Sequence, residues 1–253
     1  MTYCVGMMLD RGLVLMSDTR TNSGVDNISS FRKMFHWELP GERIVALMTA
    51  GNLATTQAVV SQLEERMKTP SERHNVLLEA PTMFQVASIV GKLLRDTIQA
   101  RDEDNGMHGS GQFTASMILA GQIKGMEPRL FLIYPEGNFI EAHADTPFFQ
   151  IGETKYGRPI ILRAYDPTMS FEDAVKLLMV SFDSTVKANL SVGLPLDLMV
   201  IENDRYEPLH DRRISGSDPY YRAISSRWGE ALKKAFDSLP DYSFFNAPTE
   251  PPE

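Results

Sequence analysis

The sequence predicts an α+β fold in which antiparallel sheets carry helices on their outer faces. Three observations lead there. Two apolar hairpins open the chain, so strand pairing begins antiparallel. The hydrophobic period then changes from two to 3.6 for two consecutive helices, returns to two for a run of strands, and changes again. Strands and helices therefore come in groups, not in the strict alternation that builds a parallel sheet. The 253 residues suit one large domain or two small ones, and the strand order favours one. With 43% hydrophobic and 23% charged residues, the composition excludes a disordered chain and a coiled coil.

The elements follow in order. Tyr3 to Leu9 and Leu13 to Ser17 are apolar strands around an Asp10-Arg11-Gly12 turn. Thr21 to Ser30 is polar and predicts a loop; Phe31 to Leu39 and Arg43 to Thr49 predict a second hairpin around Pro40-Gly41-Glu42. Leu53 to Lys68 has no Gly or Pro, with Val59, Val60, Leu63 and Met67 at helical spacing, Asn52 as N-cap, and Glu64 four residues before Lys68. A second helix is expected from Pro81 to Asp104, then a Gly-rich loop over 105–112. Phe113 to Gln122, Arg129 to Tyr134, Phe139 to Ala144 and Phe148 to Gly152 read as strands. Helices are expected over 155–164 and from Ser170 to Lys187, the latter with a Ser170/Asp173 cap. Leu196 to Glu202 is a late strand, Arg205 to His210 a last one, and Ser217 to Leu239 a helix whose apolar face runs Tyr221, Ile224, Trp228, Leu232, Ala235, Leu239. A single domain over 1–239 is expected, followed by a Pro-rich acidic tail over 240–253.

Bulk chemistry narrows the function. The net charge of −8 argues against nucleic acid as a partner, which would want clustered Lys and Arg. No apolar run reaches the length of a membrane span, and the start has no basic segment ahead of its apolar one, so no membrane partner and no signal peptide are expected. The one cysteine, Cys4, sits in an apolar strand pattern and reads as an inert buried thiol; with it, the cytoplasm is the expected compartment. His36, His74, His108, His143 and His210 are scattered without metal-ligand spacing. His108-Gly109-Ser110-Gly111 lacks the lysine of a phosphate loop, and no GxSxG occurs. No metal and no cofactor are expected.

What remains is the start of the chain. Met1 precedes a small residue, Thr2, and its removal would leave Thr2 with a free α-amine. An N-terminal threonine carries a nucleophile and a base in one residue: Oγ attacks and the amine takes the proton. That amine has a reference pKa of about 7.7–8.0, so part of it is unprotonated at neutral pH. A lysine ammonium nearby disfavours its protonation, and a carboxylate would hold the lysine. A hairpin returns the end of its second strand to the start of its first, which puts Asp18 beside Thr2; Lys33, at the start of the third strand, can point to the same corner.

Thr2, the Asp18-Thr19-Arg20 step, Lys33 and the Thr49-Ala50-Gly51 step before the first helix resemble the N-terminal-nucleophile hydrolases of the proteasome β-subunit and HslV class. The stretches TYCVG at 2–6, SDTRTNSGVDNISSFRK at 17–33, IGETKYG at 151–157 and NLSVGLP at 189–195 are similar to the bacterial Anbu group, the ancestral β-subunit. The resemblance spans about residues 2–210. It implies a four-layer αββα sandwich of two antiparallel sheets between helices. It implies Thr2 as nucleophile, Asp18 and Lys33 as the pair that tunes its amine, the Gly51 N–H as oxyanion donor, Thr49 in the substrate pocket, and Ser191 as a supporting serine. It also implies a peptide or protein substrate and self-association into a ring or an open spiral, and it names no ATPase partner. Three departures stand out: Lys33 lies one position early relative to Thr2, Glu153 or Thr154 replaces the family serine near Gly152, and Ala188 replaces the family aspartate before Ser191. The expected function is a proteasome-like N-terminal-threonine peptidase. The alternative is a catalytically weak or inactive structural subunit of the same kind of particle.

Overall fold

The computed structural model describes residues 2–22, 28–68, 76–104, 112–242 and 244. The Gly-rich loop expected at 105–112 lies outside them but for Gln112, and the tail expected at 240–253 lies outside them but for residues 240–242 and 244.

The strands are β1 (Tyr3–Leu9), β2 (Gly12–Asp18), β3 (Arg20–Asn22), β4 (Ile28–Ser30), β5 (Met34–Leu39), β6 (Arg43–Gly51), β7 (Ala115–Ile123), β8 (Arg129–Ile133), β9 (Phe139–Glu141), β10 (Phe148–Gly152), β11 (Leu196–Glu202) and β12 (His210–Ile214). The helices are α1 (Leu53–Lys68), α2 (Met83–Asp104), α3 (Arg158–Ala164), α4 (Phe171–Ala188) and α5 (Pro219–Asp237). Two five-stranded antiparallel sheets form, β10-β1-β2-β11-β12 and β5-β6-β7-β8-β9, with a small β3-β4 hairpin beside them.

The layering follows from strand alternation. On β2, Leu13 and Leu15 enter a core shared with Ile44, Ala46 and Met48 of β6, so these residues lie between the two sheets. Val14 and Met16 face the other way, onto Leu178 and Phe182 of α4. On β6, Val45 and Leu47 face α1 and α2 through Val59, Leu63 and Val90. Strands buried on both faces read as continuous apolar runs, which is why these segments lack a polar alternation. The result is the αββα sandwich that the resemblance implied.

Helix starts are set by side-chain caps. Asn52 Oδ1 accepts the Thr55 N–H at 3.0 Å, and Ser170 Oγ accepts the Asp173 N–H at 3.1 Å, both as expected. The second helix starts later than expected. Thr82 Oγ1 accepts the Gln85 N–H at 3.2 Å, so Thr82 is the cap and Pro81 stays outside the first turn. Lys68 pairs with Glu65 at 2.9 Å in place of Glu64.

Three other expectations give way. The loop expected at 21–30 contributes strands β3 and β4, and the third strand begins at Met34, because the Phe31 N–H turns aside to the Thr19 carbonyl at 2.8 Å. The last strand lies at His210–Ile214, not 205–210: Asp204 and Tyr206 both take φ of 61°, a turn conformation that ends strand pairing there. Its HDRR sequence is a charged edge, held to β11 by Arg213 on Asp197 at 2.7 and 2.9 Å. The helix expected to reach Leu239 ends at Asp237; Tyr221 is buried and Ile224 and Trp228 half-buried, but Leu232 on α5 and Leu239 beyond it are exposed, so only the first half of the expected apolar face packs on the body.

Tyr3 joins the sheet to the α3/α4 layer. Its ring lies 4.3 Å from that of Phe182, its hydroxyl shares a 2.7 Å hydrogen bond with Ser181 Oγ, and it takes one from Gln150 Nε2 at 2.6 Å. Burial pushes the phenol up to about 12, against the pull of those two hydrogen bonds. The unfolded chain releases this proton near 10, so the linked stability is intact below pH 10 and falls as pH rises toward 12, by about 3 kcal/mol. Alkaline denaturation followed by tyrosinate absorbance checks this: Tyr3→Phe should flatten that part of the stability loss, and an unchanged slope would contradict it.

Candidate active site

The site forms where β1 begins and β2 ends. Cys4 pairs with Ser17, so Tyr3 stands opposite Asp18, and Thr2 lies at the open end of the pair. Asp18 is fully buried and Lys33 is 4% exposed. Asp18 Oδ1 accepts Lys33 Nζ at 2.8 Å and the Tyr3 N–H at 3.0 Å, and Oδ2 accepts the Gly193 N–H at 3.4 Å. Lys33 Nζ also donates to the Arg20 carbonyl at 2.6 Å. Burial pushes the Asp18 carboxyl up; the Lys33 ammonium and the two backbone donors oppose that push.

Thr2 is 8% exposed and held from both sides. The following amide bonds Asp18, and the Thr2 carbonyl accepts the Glu153 N–H at 2.6 Å. Gly152, opposite Tyr3 on β10, makes the second contact feasible. Its φ is +84°, and a Cβ there would stand 1.9 Å from the Thr2 carbonyl oxygen.

Thr49 and Gly51 lie on β6. The Thr49 N–H donates to the Lys33 carbonyl at 2.9 Å, and Cys4 Sγ approaches the Thr49 carbonyl at 3.8 Å, so Thr49 joins the same corner. Burial pushes the Cys4 thiol up, which keeps it protonated and inert. Gly51 has φ of +113°, and a Cβ would stand 2.5 Å from the Thr114 carbonyl oxygen. The alternation of ladder bonds settles where its N–H points. Asn52 donates to Thr114, just before β7, so the Gly51 N–H faces the β5 side, past the Thr49–Lys33 bond and beyond the end of that strand.

Ser191 reaches the site through the turn between α4 and β11. Its N–H donates to Asn189 Oδ1 at 3.0 Å, and Gly193 two residues on donates to Asp18. Arg20 clamps the same turn: its Nη1 donates to the Leu190 carbonyl at 3.0 Å, and its guanidinium lies so close over Gly193 that a Cβ would stand 2.3 Å from it. The structure thus brings Thr2, Asp18, Lys33 and Thr49 into one bonded network, with Ser191 tied in through backbone and Gly51 on the adjoining strand end. Gly152, Arg20, Gly193 and Asn189 complete it. Sequence reasoning gave them no part in the site. All four fall inside the stretches that carried the resemblance, a signal that these positions matter without saying how.

A family model for the proteasome subunit matches residues 2–201. The Anbu (Gly-1) mutant from Hyphomicrobium sp. strain MC1 is 46% identical, with a TM-score of 0.89 over 96% of this chain and 100% of its own. The Anbu complex from Pseudomonas aeruginosa, solved as a helical assembly, is 41% identical with a TM-score of 0.88 over 96% of this chain and 100% of its own. The proteasome subunit beta of Methanopyrus kandleri is 22% identical over 217 residues, 84% of this chain and 93% of that subunit.

Two substitutions test how the corner is held. Asp18→Asn leaves the Lys33 ammonium buried without its counter-charge and should lower unfolding free energy by about 3–5 kcal/mol in urea titration. Gly152→Ala drives a methyl group into the Thr2 carbonyl and should cost more than about 2 kcal/mol. A loss below about 0.5 kcal/mol in either would mean that the contact is not structural.

Proposed function

This chain belongs to the proteasome subunit family, and from that premise we propose that it is an N-terminal-threonine peptidase or amidase of the cytoplasm. The observation that carries the reading is the buried Asp18–Lys33 pair fastened to the first residues of β1. Removal of Met1 frees the Thr2 amine. Thr2 Oγ1 attacks the carbonyl carbon of a peptide bond, and the amine takes the hydroxyl proton. Lys33 stays cationic on Asp18 and lowers the proton affinity of that amine, which keeps it available as base. The Gly51 N–H, aimed past the end of β5, receives the developing oxyanion. The amine's proton passes to the leaving nitrogen, and an ester to Thr2 remains. The amine then draws a proton from water, which attacks the ester and restores the threonine. Thr49 lines the pocket for the residue before the cut, and Ser191 supports the nucleophile. One domain over 1–239 carries this chemistry, with 240–253 as an appended tail, and no metal or cofactor enters it.

A second reading, a weak or inactive structural subunit, is favoured by Ala188, which has no carboxylate to offer Ser191. An epoxyketone that closes on both Oγ and the amine of an N-terminal threonine separates the two. The peptidase reading predicts a Thr2 adduct by mass spectrometry on chains that have lost Met1, and its disappearance in Thr2→Ala, with turnover down by about three orders of magnitude or more. Retention of Met1 on all of the folded protein, or absence of the adduct, would overturn it.

Self-association of this chain is part of the proposal. The outer half of α5 and the residues just past it present Leu232 (49% exposed), Phe236 (73%) and Leu239 (63%), beside an apolar groove of about 530 Å³ formed by Ile160, Met169, Leu177, Ile224 and Trp228. A second copy of the chain is the occupant that the helical assembly of the similar Pseudomonas aeruginosa complex favours. Leu232→Asp with Phe236→Asp should shift sizing chromatography toward smaller particles at unchanged circular dichroism.

A further inference from the structure

The hydrogen-bond shell on the far side of Thr2 is built around a carboxylate. The β1/β10 register ends at Tyr3 opposite Gly152, and one step beyond it the Glu153 N–H donates to the Thr2 carbonyl at 2.6 Å, so Glu153 is the next neighbour of Thr2 on that side. The Tyr3 N–H points to Asp18 on the β2 side and the Thr2 carbonyl to Glu153 on the β10 side, so strand alternation puts the Thr2 nitrogen on the β10 side as well, the side on which Glu153 stands. Glu153, like Thr2, is 8% exposed.

Its carboxylate is also held in place. Oε1 accepts the Lys155 N–H at 3.1 Å, and Oε2 accepts Asn189 Nδ2 at 2.9 Å. Asn189 Oδ1 in turn accepts the Ser191 N–H. A continuous chain therefore runs from Thr2 through Glu153 and Asn189 to Ser191, using the residue next to Ala188 to do so. Glutamates are rarely buried unless their oxygens are satisfied, and here two fixed donors satisfy them.

We infer that Glu153 is a positioning residue for the free amine of Thr2, with Asn189 as its anchor. The inference rests on the reading above that Met1 is removed. The carboxylate accepts a hydrogen bond from the amine and so orients its lone pair toward Thr2 Oγ1. It also sets the charge balance. The charged groups gathered at this corner are Asp18 from β2, Lys33 from the segment before β5 and Glu153 from the end of β10, while the Arg20 guanidinium is turned to the Leu190 carbonyl and Gly193. Lys33 disfavours the protonated amine; Glu153 favours it. The Thr2 amine then gives up its proton at higher pH than it would without Glu153, and the reaction is turned on toward the alkaline side.

Competitive acetylation of the α-amine across a pH series, read by mass spectrometry of the N-terminal peptide, tests this without reference to any substrate. Glu153→Gln should lower the midpoint by about one unit, which is about tenfold more free amine below the midpoint. Asn189→Ala, which unfastens the carboxylate without removing it, should shift it the same way by less, and Glu153→Asp should restore much of the original value. A purely structural role would slow turnover but leave the midpoint alone. Unchanged midpoints in folded Glu153→Gln and Asn189→Ala would overturn the inference and leave the Thr2 reading standing, as the epoxyketone adduct would confirm. Met1 found on all of the folded wild-type chain would overturn both.

Discussion

A carboxylate and an ammonium lie side by side in this protein with almost no water, and the surrounding structure is arranged to make that tolerable. Two charges removed from water need more than each other, because desolvation can exceed their mutual attraction. Asp18 therefore collects three donors, from Lys33, Tyr3 and Gly193, and Lys33 adds the Arg20 carbonyl. Those partners come from β1, the segment before β5, the α4–β11 turn and β3. The pair thus fastens four parts of the chain to the end of β2, and the nucleophile candidate is held by the same bonds.

The two sheets make this corner possible. Their inner faces meet through apolar side chains such as Leu15, Met48 and Ile118, which keep the space between them dry. Polar groups gather at the end of that space, where β1 starts, β2 stops and β5 departs from β6. Strand ends leave backbone donors without ladder partners, so the place where the sandwich opens is also where amides are free to act on something else. Gly51 and Gly152 occupy two such ends. Each has a positive φ, and each lies against a neighbouring carbonyl that a side chain would strike.

The departures from the family pattern read differently in this light. Glu153 and Asn189 form a bonded unit of their own, joined to Thr2 at one end and Ser191 at the other. A shell of neutral hydroxyls offers no charge to set against the Lys33 cation; the role inferred for Glu153 is to supply one.

The sequence by itself determined the order and kind of most elements, because the signals involved are local. Asn52 and Ser170 cap the helices they precede, and continuous apolar runs identify strands buried on both faces. It also placed Asp18 beside the chain start, since a hairpin has only one way to return. Its misreadings came where burial was decided elsewhere. The charged strand β12 has no apolar pattern, because its pairing rests on β11 and the Arg213–Asp197 ion pair. The apolar stripe of α5 is real, but periodicity cannot say how much of it meets the body. The tertiary structure alone decided that Lys33 turns inward to Asp18, that Gly152 must yield to the Thr2 carbonyl, and that Glu153 is tied to Asn189. Each of these contacts joins residues at least fifteen positions apart, and no local preference encodes a distance of that kind.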